Sequence, residues 1–109
     1  MIPKIIHQIW FQGEHNIPNH LREYQHTWKN ICSNYTYILW NSDSILNLLE
    51  SIKINWILKL YNSYELLIQK IDFAKYVILW VHGGIYVDID IICFKNIDSL
   101  IENEGLGKN

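Results

Sequence analysis

The sequence has little arginine, proline, cysteine or methionine. Of nine basic residues only Arg22 is an arginine, and the 109 residues hold two prolines, two cysteines and one methionine. The formal charge is −2 and no basic cluster is present. A nucleic-acid backbone is therefore excluded as the expected partner, since binding it requires a concentrated positive patch. Long apolar runs are missing too. A membrane-spanning helix needs about 18 or more consecutive apolar residues, and the run Val77–Val81 is far shorter. Met1 leads straight into Ile-Pro-Lys-Ile-Ile, without the charged and apolar regions of a secretory leader. A cytoplasmic location is the default expectation. Cys32 and Cys93 are widely spaced, fit no zinc-ligand pattern, and read as two buried small hydrophobes.

What is present is a rich supply of core residues. Half of the chain is apolar and 14% is aromatic, which excludes a disordered segment. The length suits one domain over residues 1–109, able to bury roughly 65% of its unfolded surface. No repeat, low-complexity tract or linker interrupts it. Pro3–Trp10 reads as a buried first strand and Gly13–Pro18 as a loop. Leu21, Tyr24, Trp28 and Ile31 recur at helical spacing over Asn19–Ile31. Tyr35–Trp40 is β-branched and aromatic, a second strand. Asn41-Ser42-Asp43 offers caps for a helix carrying Ile45, Leu48, Leu49 and Ile52, and Asn55–Tyr61 adds a short helix. Tyr64–His82 is the longest helical pattern, with Leu67, Ile71, Ala74, Ile78 and Val81 on one stripe and Gly83-Gly84 as its stop. Ile85–Phe94 is expected to be a third strand and Asp98–Asn103 the start of another helix. Strands alternating with helices predict an α/β fold with a mainly parallel sheet.

The segment from Lys70 to Asp90 carries the chemistry. On a strand, Asp88 and Asp90 would share one face with Tyr86, roughly 7 Å apart. Two carboxylates so placed repel each other unless a cation lies near them. A hard divalent ion takes a few carboxylate oxygens and completes its shell with water and phosphate. Asp-x-Asp at a strand end is thus a metal–diphosphate anchor, or else merely a solvated strand face. Asp72 and Lys75 lie at i, i+3 on the preceding helix, either as a surface ion pair or as part of the same pocket. With Asp72, Asp88 and Asp90 against one Lys75, an anionic ligand would need a bound cation to enter.

The pattern Asp72-x-x-Lys75-Tyr76-x-x-Leu79-x-x-x-Gly83-Gly84-Ile85-Tyr86-x-Asp88-x-Asp90 closely resembles the DXD-containing sugar-binding region of glycosyltransferases. That family includes initiating α-1,6-mannosyltransferases, capsule and lipooligosaccharide transferases and, more distantly, glucosylating toxins. The opening Ile2–Trp10 resembles the family's first strand, Trp40-Asn41 its second strand end, and Phe94–Asp98 the segment after the DXD. The resemblance implies a Rossmann-like, GT-A type nucleotide-sugar-binding half. It implies a UDP- or GDP-sugar donor, an acceptor hydroxyl on a glycan, lipid or protein, a retaining transfer, and a divalent metal, Mn²⁺ before Mg²⁺. By the same resemblance Asp88 and Asp90 are the metal-binding and catalytic pair. Trp10, Asp72, Lys75, Gly84, Tyr86 and Asp88 fall among the donor-binding residues, with Asp72 on sugar or ribose hydroxyls and Trp10 stacked on the base. A core aromatic is the other reading of Trp10. His7 and Gln8 belong to the first-strand motif without assigned chemistry, and a lone histidine in an apolar strand is usually a satisfied core residue.

Two departures stand out. The family usually has Arg where this chain has Lys75, which keeps charge but loses the planar fork. The match covers the family's first half and ends shortly after the DXD segment. The expected domain is therefore truncated, with a second chain as one possible source of the rest. A catalytically incomplete nucleotide-sugar or metal-binding module is the alternative reading. A haloacid-dehalogenase-like phosphatase is a further one, though Ile92 stands where that motif has Thr or Val.

Overall fold

The computed structural model describes residues 2–99. Three parallel strands form the centre: β1 (Ile5–Ile9), β2 (Thr36–Trp40) and β3 (Ile85–Tyr86), in spatial order β2-β1-β3. Four α-helices surround them: α1 (Asn19–Ile31), α2 (Ser42–Ile52), α3 (Asn55–Ser63) and α4 (Leu67–His82). A short 3₁₀ turn at Glu14–Asn16 precedes α1. The α/β class and the parallel sheet expected from the sequence are both present, in a form compatible with a Rossmann-like half domain.

Strand alternation divides the core into two layers. Ile9 and Trp40 face α2, α3 and α4, where Ile45, Leu49, Ile57, Tyr61, Ala74, Val77 and Ile78 complete one cluster. Ile6 faces the other way and packs with Trp28, Cys32, Tyr35, Val87 and Cys93. Helices α1, α2 and α3 are amphipathic towards their layers, whereas α4 is apolar on its outer face as well, with Ile68, Tyr76 and Trp80 exposed. In α1 the buried side chains are Gln25 and Trp28, followed by Cys32 at its end. Ile31, expected on the stripe, is exposed because the buried face is centred one residue away. In α4 the middle of the expected stripe is buried at Ala74 and Ile78, joined by Val77, while Leu67 and Val81 at its ends are exposed.

Local sequence explains the starts and stops. The Asn41 side chain accepts the Ser44 amide at 2.9 Å and the Ser44 hydroxyl accepts the Asn41 amide at 2.9 Å. This reciprocal cap satisfies two amides that α2 cannot pair itself. Gly83 ends α4 with φ 67° and Gly84 follows with φ 92°. A side chain at Gly84 would put its Cβ 2.6 Å from the Ile5 carbonyl oxygen, so glycine is what lets the turn lie against β1.

Two expectations are corrected. The third strand does not run from Ile85 to Phe94 but stops at Tyr86, and Ile89-Asp90 lie in a turn. Among the described residues its neighbour is β1, which pairs with it through Ile6↔Ile85 and His7↔Tyr86. One further amide, that of Val87, reaches the His7 carbonyl at 2.9 Å, and the backbones then part. The helix expected from Asp98 begins at Ile97, with Ile97–Ser99 helical and the remainder outside the described residues. Cys32 and Cys93 are buried, free thiols as expected, yet their sulfurs lie 3.9 Å apart.

Candidate functional site

The strand order places the site. The chain leaves β1 to one side for β2 and later returns to the other side for β3. In open parallel sheets such a reversal opens a crevice beyond the carboxyl ends of the strands. Trp10 follows the end of β1, and Val87 and Asp88 follow the end of β3. The sequence motif therefore emerges at the carboxyl edge of the sheet, beside the point where the strand order reverses, on backbone that the sheet no longer holds.

Four expected site residues meet there. Lys75 Nζ lies 3.2 Å from Asp72 Oδ1 and 3.4 Å from Asp88 Oδ1, and 4.8 Å from the centre of the Tyr86 ring. The Asp72 and Asp88 side chains are each 55% exposed and that of Lys75 is 26% exposed. Burial pulls the Lys75 ammonium down, but the two carboxylates outweigh it and hold its pKa above the ordinary value. Burial pushes the Tyr86 phenol upward, and the charges of Asp88, Asp72 and Asp90 push it further. Lys75 is thus a fixed cation and Tyr86 a neutral phenol at physiological pH. Neither is a general base. The field of Asp90 reaches the same ring, and Asp90 itself is exposed, with no ion pair among the described residues.

Gly84 and Trp10 are placed differently. Gly84 packs against Ile5 and His7 of β1, so its position answers to backbone approach. Trp10 is half-buried at the strand end, its amide donating to the Trp40 carbonyl at 2.9 Å. Its indole Nε1 is buried without a partner among the described residues.

Two fully buried polar residues tie this segment to β1. The His7 Nε2–H donates to the Gly83 carbonyl at 2.9 Å, and Nδ1 accepts from Trp40 Nε1–H at 3.0 Å. The tautomer follows from these partners, since a carbonyl can only accept and an indole can only donate. Gln8 Nε2 donates to the Asp88 carbonyl at 3.2 Å, and Gln8 Oε1 accepts from the Tyr37 hydroxyl at 2.7 Å. Burial raises the Tyr37 hydroxyl to about 12, so it remains a donor. Further along, Trp28 Nε1–H donates to the Ile91 carbonyl at 2.8 Å and the Thr27 hydroxyl accepts the Cys93 amide at 2.9 Å. The sequence signal for His7 and Gln8 was present: two polar side chains in an otherwise apolar strand must find buried partners.

The donor set suits a hard cation only in part-complex form. Among the described residues no group of three or more His, Cys, Asp or Glu side chains is arranged as a metal cage. Asp88 and Asp90 provide two exposed carboxylates separated by one residue in the chain. That is the usual protein share of a Mg²⁺-like site, in which phosphate and water supply the remaining ligands.

Comparison with known proteins identifies a family. The family described as "Glycosyltransferase sugar-binding region containing DXD motif" matches residues 18–106. A glycosyltransferase of Acanthamoeba polyphaga mimivirus is 44% identical over 98% of this chain and 41% of its own length. Inositol phosphoceramide mannosyltransferase 1 of Schizosaccharomyces pombe is 36% identical, over 92% of this chain and 31% of its own. The initiation-specific α-1,6-mannosyltransferase of Saccharomyces cerevisiae is 36% identical, over 90% and 22%. The chain thus spans less than half the length of these relatives. No solved structure matches it. Among the described residues no helix is long and apolar enough to cross a membrane.

Proposed function

Because the chain belongs to the glycosyltransferases whose sugar-binding region carries the DXD motif, we propose that it forms the donor-binding half of a metal-dependent, retaining sugar transferase of GT-A type. The donor is a nucleotide-diphosphate sugar. Relatives named as mannosyltransferases make a mannose donor the first to test. The observation that carries this reading is the convergence of Asp72, Tyr86 and Asp88 on the Lys75 ammonium, beside the point where the sheet order reverses.

Asp88 and Asp90 would hold the divalent cation, Mn²⁺ by preference, with Mg²⁺ as the other choice. When bound, that ion neutralises the diphosphate and stabilises its charge as it leaves. Lys75 adds a fixed positive charge on the helix side. Asp72 is suited to accept hydrogen bonds from sugar or ribose hydroxyls, and its exposed carboxylate leaves room for them. Tyr86 flanks the donor as a neutral aromatic, and Trp10 supplies a ring for the base at the end of β1. In the transfer, the bond from the sugar's anomeric carbon to the diphosphate oxygen breaks, and its electron pair leaves with the diphosphate. A bond to the acceptor oxygen forms, and the acceptor's proton passes to the departing diphosphate. The acceptor-binding part is assigned to a longer protein or to a second chain.

Titration calorimetry with GDP-mannose and UDP-glucose, with and without Mn²⁺, tests the reading. The expected result is binding of one donor only when Mn²⁺ is present, lost in Asp90→Ala with an unchanged circular dichroism spectrum. Donor affinity that ignores both Mn²⁺ and Asp90 contradicts it. Binding without donor hydrolysis or transfer assigns the described residues to donor capture alone.

A further inference from the structure

We infer that Gln8 is a positioning residue for the Asp88–Asp90 segment: from β1 it sets where the two carboxylates stand. The inference rests on the donor-binding reading above for its functional consequence, and on geometry for its structural one.

Gln8 is fully buried in a strand whose other residues are three isoleucines and His7. Burying an amide is costly unless both its ends are paired. Both are. Its orientation is also forced, because the Asp88 carbonyl can only accept and so must face Nε2, which turns Oε1 towards the Tyr37 hydroxyl. The side chain therefore reaches across the sheet, from β2 on one side to the residue that carries the first carboxylate on the other.

The Asp88 carbonyl is also the acceptor that closes the next turn. The Ile91 amide donates to it at 3.2 Å, and that turn contains Asp90. One oxygen thus fixes the backbone on which both carboxylates are mounted, and Gln8 fixes that oxygen. The sheet does not do this work. Its pairing with β1 ends at Tyr86, followed by the single Val87 amide. Trp28 and Thr27 hold the chain only from Ile91 onward. Between Val87 and Ile91 the bond from Gln8 is the side-chain tether on the backbone among the described residues, whereas the Lys75 ion pair reaches the exposed Asp88 carboxylate.

Gln8→Leu keeps burial and nearly the same volume while deleting both hydrogen bonds. Hydrogen exchange read at the Val87 and Ile91 amides is expected to quicken about tenfold, the equivalent of one hydrogen bond of typical net worth. Exchange in the β1–β2 ladder is expected to stay unchanged, which a merely structural loss would not allow. Affinity for Mn²⁺ with GDP-mannose or UDP-glucose is expected to fall about 10- to 100-fold, as for other residues that orient ligands from behind. Tyr37→Phe removes only the hydroxyl that holds Oε1. It is expected to act in the same direction with a smaller effect, and it carries the test if Gln8→Leu does not fold. A folded Gln8→Leu or Tyr37→Phe protein with unchanged exchange at Val87 and Ile91 overturns the inference. If the wild-type protein binds no nucleotide sugar with Mn²⁺, the donor reading fails, while exchange still decides the role of Gln8.

Discussion

The two edges of β1 are held by different means. Towards β2, five residue pairs from Ile5↔Thr36 to Ile9↔Trp40 form a continuous ladder. Backbone bonds extend it from Thr36 to Lys4 and from Trp10 to Trp40. Towards β3 there are two pairs, and beyond them side chains take over: His7 on Gly83, and Gln8 on Asp88. A ladder satisfies every backbone group only while both strands stay extended. A segment that must turn and carry exposed carboxylates cannot stay in it. Buried side chains reaching out from the central strand satisfy some of that backbone, and they also dictate its position.

If this contrast is right, the β3 edge should respond sharply to single changes. The largest effect is expected at Gly84→Ala. The added Cβ meets a backbone oxygen of β1 at 2.6 Å, and φ is 92°. Strain and clash together should cost about 3 kcal/mol or more. Thermal melting should show a drop of more than about 10 °C for a domain of this size.

His7→Leu should cost less, about 2 kcal/mol, because it strands the Gly83 carbonyl and the Trp40 indole N–H. The same variant should change the pH dependence. Burial lowers the His7 pKa from its ordinary 6.5; the Gly83 carbonyl opposes this and nearby His82 reinforces it. The unfolded chain therefore takes up a proton at His7 before the folded one does. The stability His7 contributes is complete above about pH 6.5 and declines as pH falls below that value towards the folded pKa. Urea midpoints measured between pH 7.5 and 5.5 should fall on acidification in the wild type, and the slope should flatten in His7→Leu.

The smallest effect is expected at Lys75→Met. Its partners are more than half exposed, so the ion pairs contribute less than about 1 kcal/mol. Chemical denaturation should barely distinguish this variant from the wild type. A large loss would show that the cluster at Asp88 is a structural joint and would erase the contrast between the two edges.

The sequence made one edge far more legible than the other. The expected span of α1, Asn19–Ile31, is the observed one, and the cap at Asn41 forms as its residue types suggest. Both depend on local periodicity and side-chain chemistry. The third strand is shorter than its pattern predicts, since Ile85, Val87, Ile89 and Ile91 alternate like a strand while β3 ends at Tyr86. Alternation makes a strand only where a partner strand exists; β1 runs out at Ile9, and Ile91 ends up exposed. The gathering of Asp72, Lys75 and Asp88 was legible because helix spacing and a two-glycine turn bring them together. That His7 and Gln8 need buried partners was legible; which backbone groups they hold was not, since Gly83 and Asp88 lie 76 and 80 residues away. The approach of Cys32 to Cys93 was hidden for the same reason, at a separation of 61.

We propose that the turn after β3 is a cation site held ready by β1. Paramagnetic broadening by Mn²⁺ in amide-resolved NMR tests it most directly, because it detects weak binding and maps its location. At low Mn²⁺, the amides of residues 86–91 should broaden first, those of α3 should remain sharp, and Asp90→Asn should abolish the effect. Broadening that begins elsewhere, or that survives in Asp90→Asn, would contradict the account.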